Sequence, residues 1–178
     1  MEIEYCQTKN GLETFKINNI FYHSTYDPEK EAERFVSSIS LPYTPAVLFI
    51  VEPGFNYCSK YLENKFPNTK IYNIRFINEF VSLNKSIFYS DFEKFLFTNF
   101  TSEEIMNSFL ISWPQAQKIF NTENNLIWNI YKKHLETRKT ELVSRQYFEK
   151  KWFLNSINFF KYVNHTILLN QTDKPVLI

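Results

Sequence analysis

The residues best placed to do chemistry follow a continuous apolar run at residues 46–51. Glu52, Gly54, Asn56 and Tyr57 come directly after this run, at the start of a predicted helix. The carboxyl end of a strand beside a helix N-terminus is where open α/β sheets bind ligands. We therefore predict ligand binding at these four residues, with a turn that binds nothing as the alternative.

The scarcity of glycine excludes the common nucleotide-binding loops. The chain has 2 glycines in 178 residues, whereas the dinucleotide and phosphate loops each need several close together. At the turn after residue 51, Glu52 would repel a phosphate and Pro53 lacks a backbone N–H. Arg75, after the next predicted strand, stands where an acidic residue would bind a ribose. We therefore predict no cofactor and no catalytic residue.

Composition also limits the classes of partner. Cys6 and Cys58 form no C-x-x-C pair and only 3 histidines are present, so no metal site is predicted. The two cysteines could form one disulfide, but two reduced, buried thiols are favoured. A net charge of +1 argues against nucleic acid. Without a signal peptide or an apolar run of about 18 residues, the chain is predicted to be cytoplasmic, with no membrane partner.

The N-terminal region is predicted to be a β-hairpin over residues 1–25. Alternating runs at 2–8 and 12–22 flank Asn10-Gly11, a dipeptide typical of a type I′ turn with φ above zero at both positions. Asp27 then caps a helix to about residue 37. Glu31 and Arg34 are spaced for a helical ion pair, and the alternative is that these residues form a docking surface.

The next region, residues 26–111, is predicted to be a Rossmann-like α/β core with a mostly parallel sheet flanked by helices. Strands are expected at 46–51, 70–74 and 87–89, with helices at 55–66 and 76–81. Capping boxes at Ser90 and Thr101 predict two further helices, the second reaching residue 111.

The region 112–165 is predicted to be helical, because residues 122–163 contain no proline or glycine. One or two long C-terminal helices are expected, with a possible break near residues 137–140. Phe148, Trp152 and Asn155 share one face of this helix. That face would either pack in the core or meet another domain.

Three segments together resemble the motility accessory factor (Maf) proteins, which are bacterial flagellin-associated glycosyltransferases. The most specific segment is similar to that family's L-H-S-x-Y-D-P-x-x-E-A-x-R signature. The others are the turn after the buried strand and an aromatic stretch of the long helix. The segments are His23-Ser24-Thr25-Tyr26-Asp27-Pro28 with Glu31-Ala32-Glu33-Arg34, Gly54-Phe55-Asn56-Tyr57, and Arg145-Gln146-Tyr147-Phe148 with Trp152 and Asn155.

The resemblance implies an N-terminal accessory domain that is itself non-catalytic. In that family a central domain transfers a nonulosonic acid to flagellin, and this chain would precede it. Residues 166–178 are then expected to be a linker and the first strand of that missing glycosyltransferase domain. The expected partners are flagellin or the glycosyltransferase domain. Asp27, Glu31, Arg34, Phe148, Trp152 and Asn155 are the candidate domain-interface residues.

Two alternatives remain open. A strand–turn–helix–strand unit around Gly54 is also typical of S-adenosylmethionine-dependent methyltransferases, which would make the chain a small-molecule transferase. The high aromatic content, 19%, could instead serve base stacking in a nucleic-acid module, although core packing explains it more simply.

Overall fold

The chain is described as a computed structural model covering residues 2–82 and 85–169, with side chains through residue 162. It divides into two units, Met1–Arg138 and Lys139–Ile178. The first unit contains a three-stranded antiparallel sheet and a four-stranded parallel sheet. The α/β class and the parallel character of the main sheet are therefore confirmed.

The antiparallel sheet confirms the predicted N-terminal hairpin. Strand β1 (Ile3–Gln7) pairs with β2 (Glu13–Ile17), and β2 pairs with a short β3 (Ile20–Phe21). Phe15 and Ile17 of β2 are buried, because alternate residues of a strand point to one face. Residues 12–22 were predicted as one strand, and the structure divides them into two.

The tight two-residue turn lies at a different place from the one predicted. Gly11 has a φ of +82° and donates its N–H to the Thr8 carbonyl at 3.1 Å, but Asn10 is outside the left-handed region. Asn18 and Asn19 have φ values of +51° and +62°, between paired residues of β2 and β3. Asparagine tolerates this region, so Asn-Asn replaces Asn-Gly in the type I′ role.

Helix α1 (Pro28–Ser38) forms as its start signals predict. The Asp27 carboxylate accepts a hydrogen bond from the Lys30 N–H at 3.0 Å, which lowers the pKa of Asp27. Pro28 occupies the first turn, where its missing N–H is not needed. Ala32 and Val36 bury one face of the helix against the core.

The parallel sheet has the strand order β6-β5-β4-β7. The strands are β4 (Val47–Val51), β5 (Lys70–Arg75), β6 (Ser86–Phe88) and β7 (Ser108–Ser112). All five residues of β4 are buried, as expected for a central strand covered on both faces.

Strand β7 corrects the prediction of a helix through residue 111. The capping box at Thr101 is present, but its helix α4 (Ser102–Met106) is only 5 residues long. Asn107 leaves helical geometry with φ −103° and ψ 41°. Ser108, Leu110 and Ser112 are then buried in alternation, which is the pattern of a strand.

The connecting helices are shorter than predicted. The helix expected at 55–66 begins only at residue 59, and that expected at 76–81 is a single 3-10 turn. No side chain caps the helix expected from Ser90, so that capping box is wrong. These elements are α2 (Ser59–Lys65), the 3-10 turns Asn78–Phe80 and Tyr89–Asp91, α3 (Phe92–Asn99) and α5 (Pro114–Ile119).

One continuous helix, α6 (Asn121–Leu169), comes after α5, so the break proposed near 137–140 is wrong. The helix includes the first four residues of the predicted linker at 166–178. The strand expected at the end of that segment lies outside the described residues.

The two cysteines are free thiols. Cys58 is buried, as predicted, and burial raises the pKa of its thiol to about 12. Cys6 is half-buried, so the prediction of two buried thiols holds for Cys58 alone.

Candidate functional site at the carboxyl edge of the parallel sheet

The strand order creates a topological switch point between β4 and β7. The chain leaves β4 toward β5 on one side, whereas β7 pairs with β4 on the other. Loops that follow two such strands diverge and leave a crevice, where open α/β sheets bind ligands. Glu52 and Gly54 follow β4 at this crevice, and Trp113 follows β7.

Glu52 is fully buried, with its backbone in the left-handed region at a φ of +39°. One carboxylate oxygen accepts from Arg75 Nη1 at 3.0 Å. The other accepts from the Phe76 and Ile77 N–H groups at 2.6 and 3.0 Å. Burial raises the pKa of Glu52, while Arg75 and the two N–H groups oppose that rise. Because all three groups that contact the carboxyl oxygens are hydrogen-bond donors, Glu52 is held in the ionised, carboxylate form.

Arg75 is also fully buried and connects three segments of chain. Besides Glu52, its Nη1 donates to the Gly54 carbonyl at 2.7 Å, and its Nε donates to Ser86 Oγ at 3.2 Å. Nη2 has no hydrogen-bond partner within the described residues. Arg75 therefore binds the protein's own turn rather than an incoming anion.

The crevice is filled by Tyr22 and His23, which follow β3; we call these two side chains the plug. A Cβ at Gly54 would lie 2.8 Å from Tyr22 Cδ1 and inside van der Waals contact with His23 Nε2. Gly54 also has a φ of +58°, so both space and conformation require glycine. The close approach that a glycine usually gives a ligand is here taken by side chains of the same chain.

The plug also uses the polar groups of the turn. The Tyr22 hydroxyl donates to the Glu52 carbonyl at 2.6 Å. The Phe55 N–H, just after Gly54, donates to His23 Nε2 at 3.1 Å. A backbone N–H at this position is what would hold a phosphate, so the imidazole replaces an anion as its acceptor.

His23 is neutral in the folded chain. Burial, followed by the positive charge of Arg75, lowers its pKa to about 3. Since Nε2 accepts a hydrogen bond, the ring proton lies on Nδ1, which has no hydrogen-bond partner among the described residues. Nδ1 lies 3.9 Å from a Glu31 carboxylate oxygen that already accepts from the Ser24 N–H at 2.7 Å.

Trp113 closes the other side of the crevice. Its ring centroid lies 5.3 Å from that of His23 and 4.9 Å from that of Phe35. Its indole N–H donates to the Tyr22 carbonyl at 3.4 Å. The plug is therefore enclosed by aromatic rings on the side of β7, in a site that excludes water.

The four predicted ligand residues fall into two groups. Glu52 and Gly54 lie in the crevice, beneath the plug. Asn56 and Tyr57 are half-buried on the following loop, where Asn56 has a φ of +63° and the Tyr57 hydroxyl donates to the Glu13 carbonyl at 2.8 Å. Tyr57 thus joins this loop to the hairpin.

The candidate interface residues of α1 have local roles. Asp27 caps the helix, and Glu31 accepts from Ser24. Arg34 is exposed, and the ion pair predicted between Glu31 and Arg34 is not among the contacts of the described residues. The docking role of these residues stays a prediction.

In the second unit, the candidate interface residues of α6 are exposed. Trp152 is 74% and Phe148 is 56% exposed, and Asn155 is exposed as well. The alternative of core packing is therefore wrong for these side chains. Their role at an interface stays a prediction.

Sequence reasoning missed the Glu52–Arg75 pair and the roles of Tyr22 and Trp113. The parallel register was a usable signal for the pair, because Val51 is aligned with Ile74 and the next residues are Glu52 and Arg75. Nothing local indicates that the hairpin docks on this edge of the sheet. His23 has a structural role, because its Nε2 accepts from the Phe55 N–H.

The described residues offer neither a metal site nor a membrane span. Within 2–82 and 85–169, no group of three His, Cys, Asp or Glu residues could hold a metal ion. In the same ranges no helix is both long and apolar enough to cross a membrane. Comparisons with protein-family models, curated proteins and solved structures found no match.

Proposed function

We propose that this chain is a non-catalytic accessory module with a Rossmann-like core, namely the cytoplasmic N-terminal accessory domain of a flagellin-modifying glycosyltransferase of the Maf type. It would aid flagellin recognition or the positioning of the catalytic domain. The observation that carries the non-catalytic part is the plug. Tyr22 and His23 occupy the space and the Phe55 N–H that a ligand of this crevice would need.

The segment that carries the Maf resemblance also holds the plug in place. Ser24 Oγ accepts from the Asp27 N–H at 3.2 Å, and the Ser24 N–H donates to Glu31 at 2.7 Å. His23 inserts its ring beside Gly54 at the start of this segment. The polar groups of this motif bond to one another, and these bonds support a structural role for the motif in the family that carries it.

The exposed aromatic residues of α6 support docking to the catalytic glycosyltransferase domain. Residues 143–162 expose nine large apolar side chains, an unusual density for a surface helix. Tyr and Trp are the residues that most often dominate protein interfaces. The exposed side chains are Val143, Tyr147, Phe148, Trp152, Phe153, Leu154, Phe159, Phe160 and Tyr162.

The charge of the same helix indicates which surface it fits. Residues 139–162 contain five basic and two acidic residues, so this segment carries a net charge of +3. Exposed apolar side chains on a positively charged helix are complemented by an apolar groove with an acidic rim. We therefore expect the catalytic domain to present such a groove.

The first experiment tests for activity. The chain is incubated with flagellin and a nucleotide-activated nonulosonic acid, and flagellin is analysed by intact mass spectrometry. We expect no mass increase, whereas a full-length Maf-type transferase should give one. Transfer by this chain alone would contradict the proposal.

The second experiment tests docking. Binding to a separately produced Maf-type catalytic domain is measured by titration calorimetry for the wild type, Trp152→Ala and Tyr43→Ala. Tyr43 is the matched control, an exposed aromatic outside α6. We expect Trp152→Ala to weaken binding about tenfold or more and Tyr43→Ala to leave it unchanged. Equal affinities for the two variants would refute docking through α6.

The S-adenosylmethionine alternative is less well supported, because the plug would have to leave the crevice before a cofactor could approach Gly54. Calorimetry with S-adenosylmethionine separates the two functions. The accessory role predicts no binding heat at about millimolar ligand, a concentration far above the usual affinity range of a cofactor site. Saturable binding there would favour the methyltransferase.

A further inference from the structure

The three-stranded sheet of the hairpin region has an open edge at β1. Within the described residues β1 pairs with β2 alone, so its other side forms the edge of the sheet. Three of its five residues are exposed and none is buried. The strand contains no proline, lysine or arginine, and its register with β2 has no bulge, although such features usually protect an edge from further pairing.

The hydrogen bonds of the hairpin determine which backbone groups of β1 point outward. The Thr8 N–H donates to the Leu12 carbonyl at 2.8 Å, so by alternation the even-numbered residues of β1 bond to β2. The Tyr22 N–H donates to the Phe15 carbonyl, which agrees because odd-numbered residues of β2 then bond to β3. The odd-numbered residues of β1 therefore direct their N–H and C=O groups to the open edge. These residues are Ile3, Tyr5 and Gln7.

A second copy of β1 matches this row of donors and acceptors. Two β1 strands placed antiparallel about a two-fold axis at Tyr5 bring each outward residue opposite an outward residue of the other copy. Tyr5 then faces Tyr5, and Ile3 faces Gln7. Residues that face each other in this way exchange both of their backbone hydrogen bonds, so every outward N–H and C=O group gains a partner.

The side chains are compatible with the same register. Glu4 would lie opposite Cys6 of the second copy, so no two like charges face each other directly. The Glu4 carboxylate is also paired with the Lys16 ammonium of its own chain at 3.1 Å. The contact is isologous, which means that it closes on a dimer and does not propagate into a fibre.

We propose that β1 is a homodimerisation edge, at which a second copy of β1 adds antiparallel and joins two three-stranded sheets into one continuous sheet. Strand addition at an exposed sheet edge is an established form of recognition, in which backbone hydrogen bonds supply the affinity. Five residues from each chain make a small interface, so we expect weak association with a Kd of about 0.1 mM. This surface is separate from α6, and the inference does not rest on the proposed function.

The first test follows the ¹⁵N-labelled full chain from about 20 µM to about 1 mM, by sedimentation for its mass and by NMR for amide exchange. We expect the dimer fraction to rise over this range. The N–H groups of Ile3, Tyr5 and Gln7 should exchange about fourfold more slowly at the higher concentration, because the monomer fraction falls by that factor at this Kd. A monomer at 1 mM would overturn the proposal. A dimer that leaves these three N–H groups as fast as in the monomer would overturn it too, since such a dimer uses another surface.

The second test compares Gln7→Pro with Gln7→Ala. Proline at position 7 removes an outward N–H and leaves the bonds to β2 in place, which is the position where edge strands tolerate proline. Gln7→Ala removes the same side chain but keeps the N–H. We expect Gln7→Pro to raise the dimer Kd about tenfold or more and Gln7→Ala to change it less than about twofold. Retained protection of the Cys6 N–H checks that the proline variant keeps its hairpin, and equal Kd values for the two folded variants would overturn the proposal.

Discussion

Acidification should destabilise the fold through His23. The imidazole has a pKa of about 3 in the folded chain, against 6.5 for an ordinary histidine. The unfolded chain therefore binds the proton more readily between these values, so the stability that His23 contributes is complete above about pH 6.5 and is lost as pH falls toward 3. At about 1.4 kcal/mol per pKa unit, the full loss is roughly 5 kcal/mol, of which about half is lost by pH 4.5.

The assay is urea unfolding followed by tryptophan fluorescence at several pH values from 7.5 to 4.5. His23→Gln is the matched variant, since its amide oxygen can accept from the Phe55 N–H but does not titrate. At each pH, the unfolding free energy of the variant is subtracted from that of the wild type. This removes the contribution of the carboxylates, which both proteins share. We expect this difference in unfolding free energy to fall by about 1.4 kcal/mol for each pH unit below pH 6.

The result that would refute this reasoning is a constant difference across the pH range. It would mean that His23 titrates alike in the folded and unfolded chain, and hence that its ring is not enclosed at Gly54.

Three further predictions concern stability, each measured by chemical denaturation. Arg75→Met should lower the unfolding free energy by about 3–5 kcal/mol, because Glu52 stays buried without its cation. The Glu52→Gln/Arg75→Met double variant should recover part of the lost unfolding free energy. A loss below about 1 kcal/mol for Arg75→Met alone would contradict the buried pair. Gly54→Ala should cost at least about 1–2 kcal/mol for its positive φ alone. The same substitution should cost less in a His23→Ala background, where the clash with the imidazole is absent. Equal losses in the two backgrounds would contradict the clash. Thr101→Ala should cost about 1 kcal/mol by removing the cap of α4, and no change would show that the capping box contributes nothing.

The elements that sequence predicts well are those whose signals are local. The β4 run is apolar throughout because both faces of that strand are covered, and Asp27-Pro28 begins α1 because the cap and the first turn need those residue types. Strand β7 is not predicted, for the opposite reason. Its identity depends on pairing with β4, so a good helix start at Thr101 indicates nothing about the conformation of the residues after Asn107.

The sequence predicts where the candidate site lies, but it does not predict whether the site is open or filled. The turn after β4 was recognisable because a strand end followed by glycine is a local pattern. Whether that turn is open depends on Tyr22, about 30 residues earlier, and on Trp113, about 60 residues later. Contacts over such separations arise from the docking of the hairpin, which composition and periodicity do not encode.

The plug has a consequence for any search for ligands of the crevice. Because it belongs to the same chain, it behaves as a tethered competitor, and short tethers give effective concentrations of about millimolar or higher. A ligand binds only the fraction of molecules in which the plug has left, so an opening free energy of about 4 kcal/mol would raise the apparent dissociation constant about a thousandfold. A screen on the wild-type chain would then overlook even a compound with micromolar intrinsic affinity, and the informative target for screening is a variant without the Tyr22 and His23 side chains.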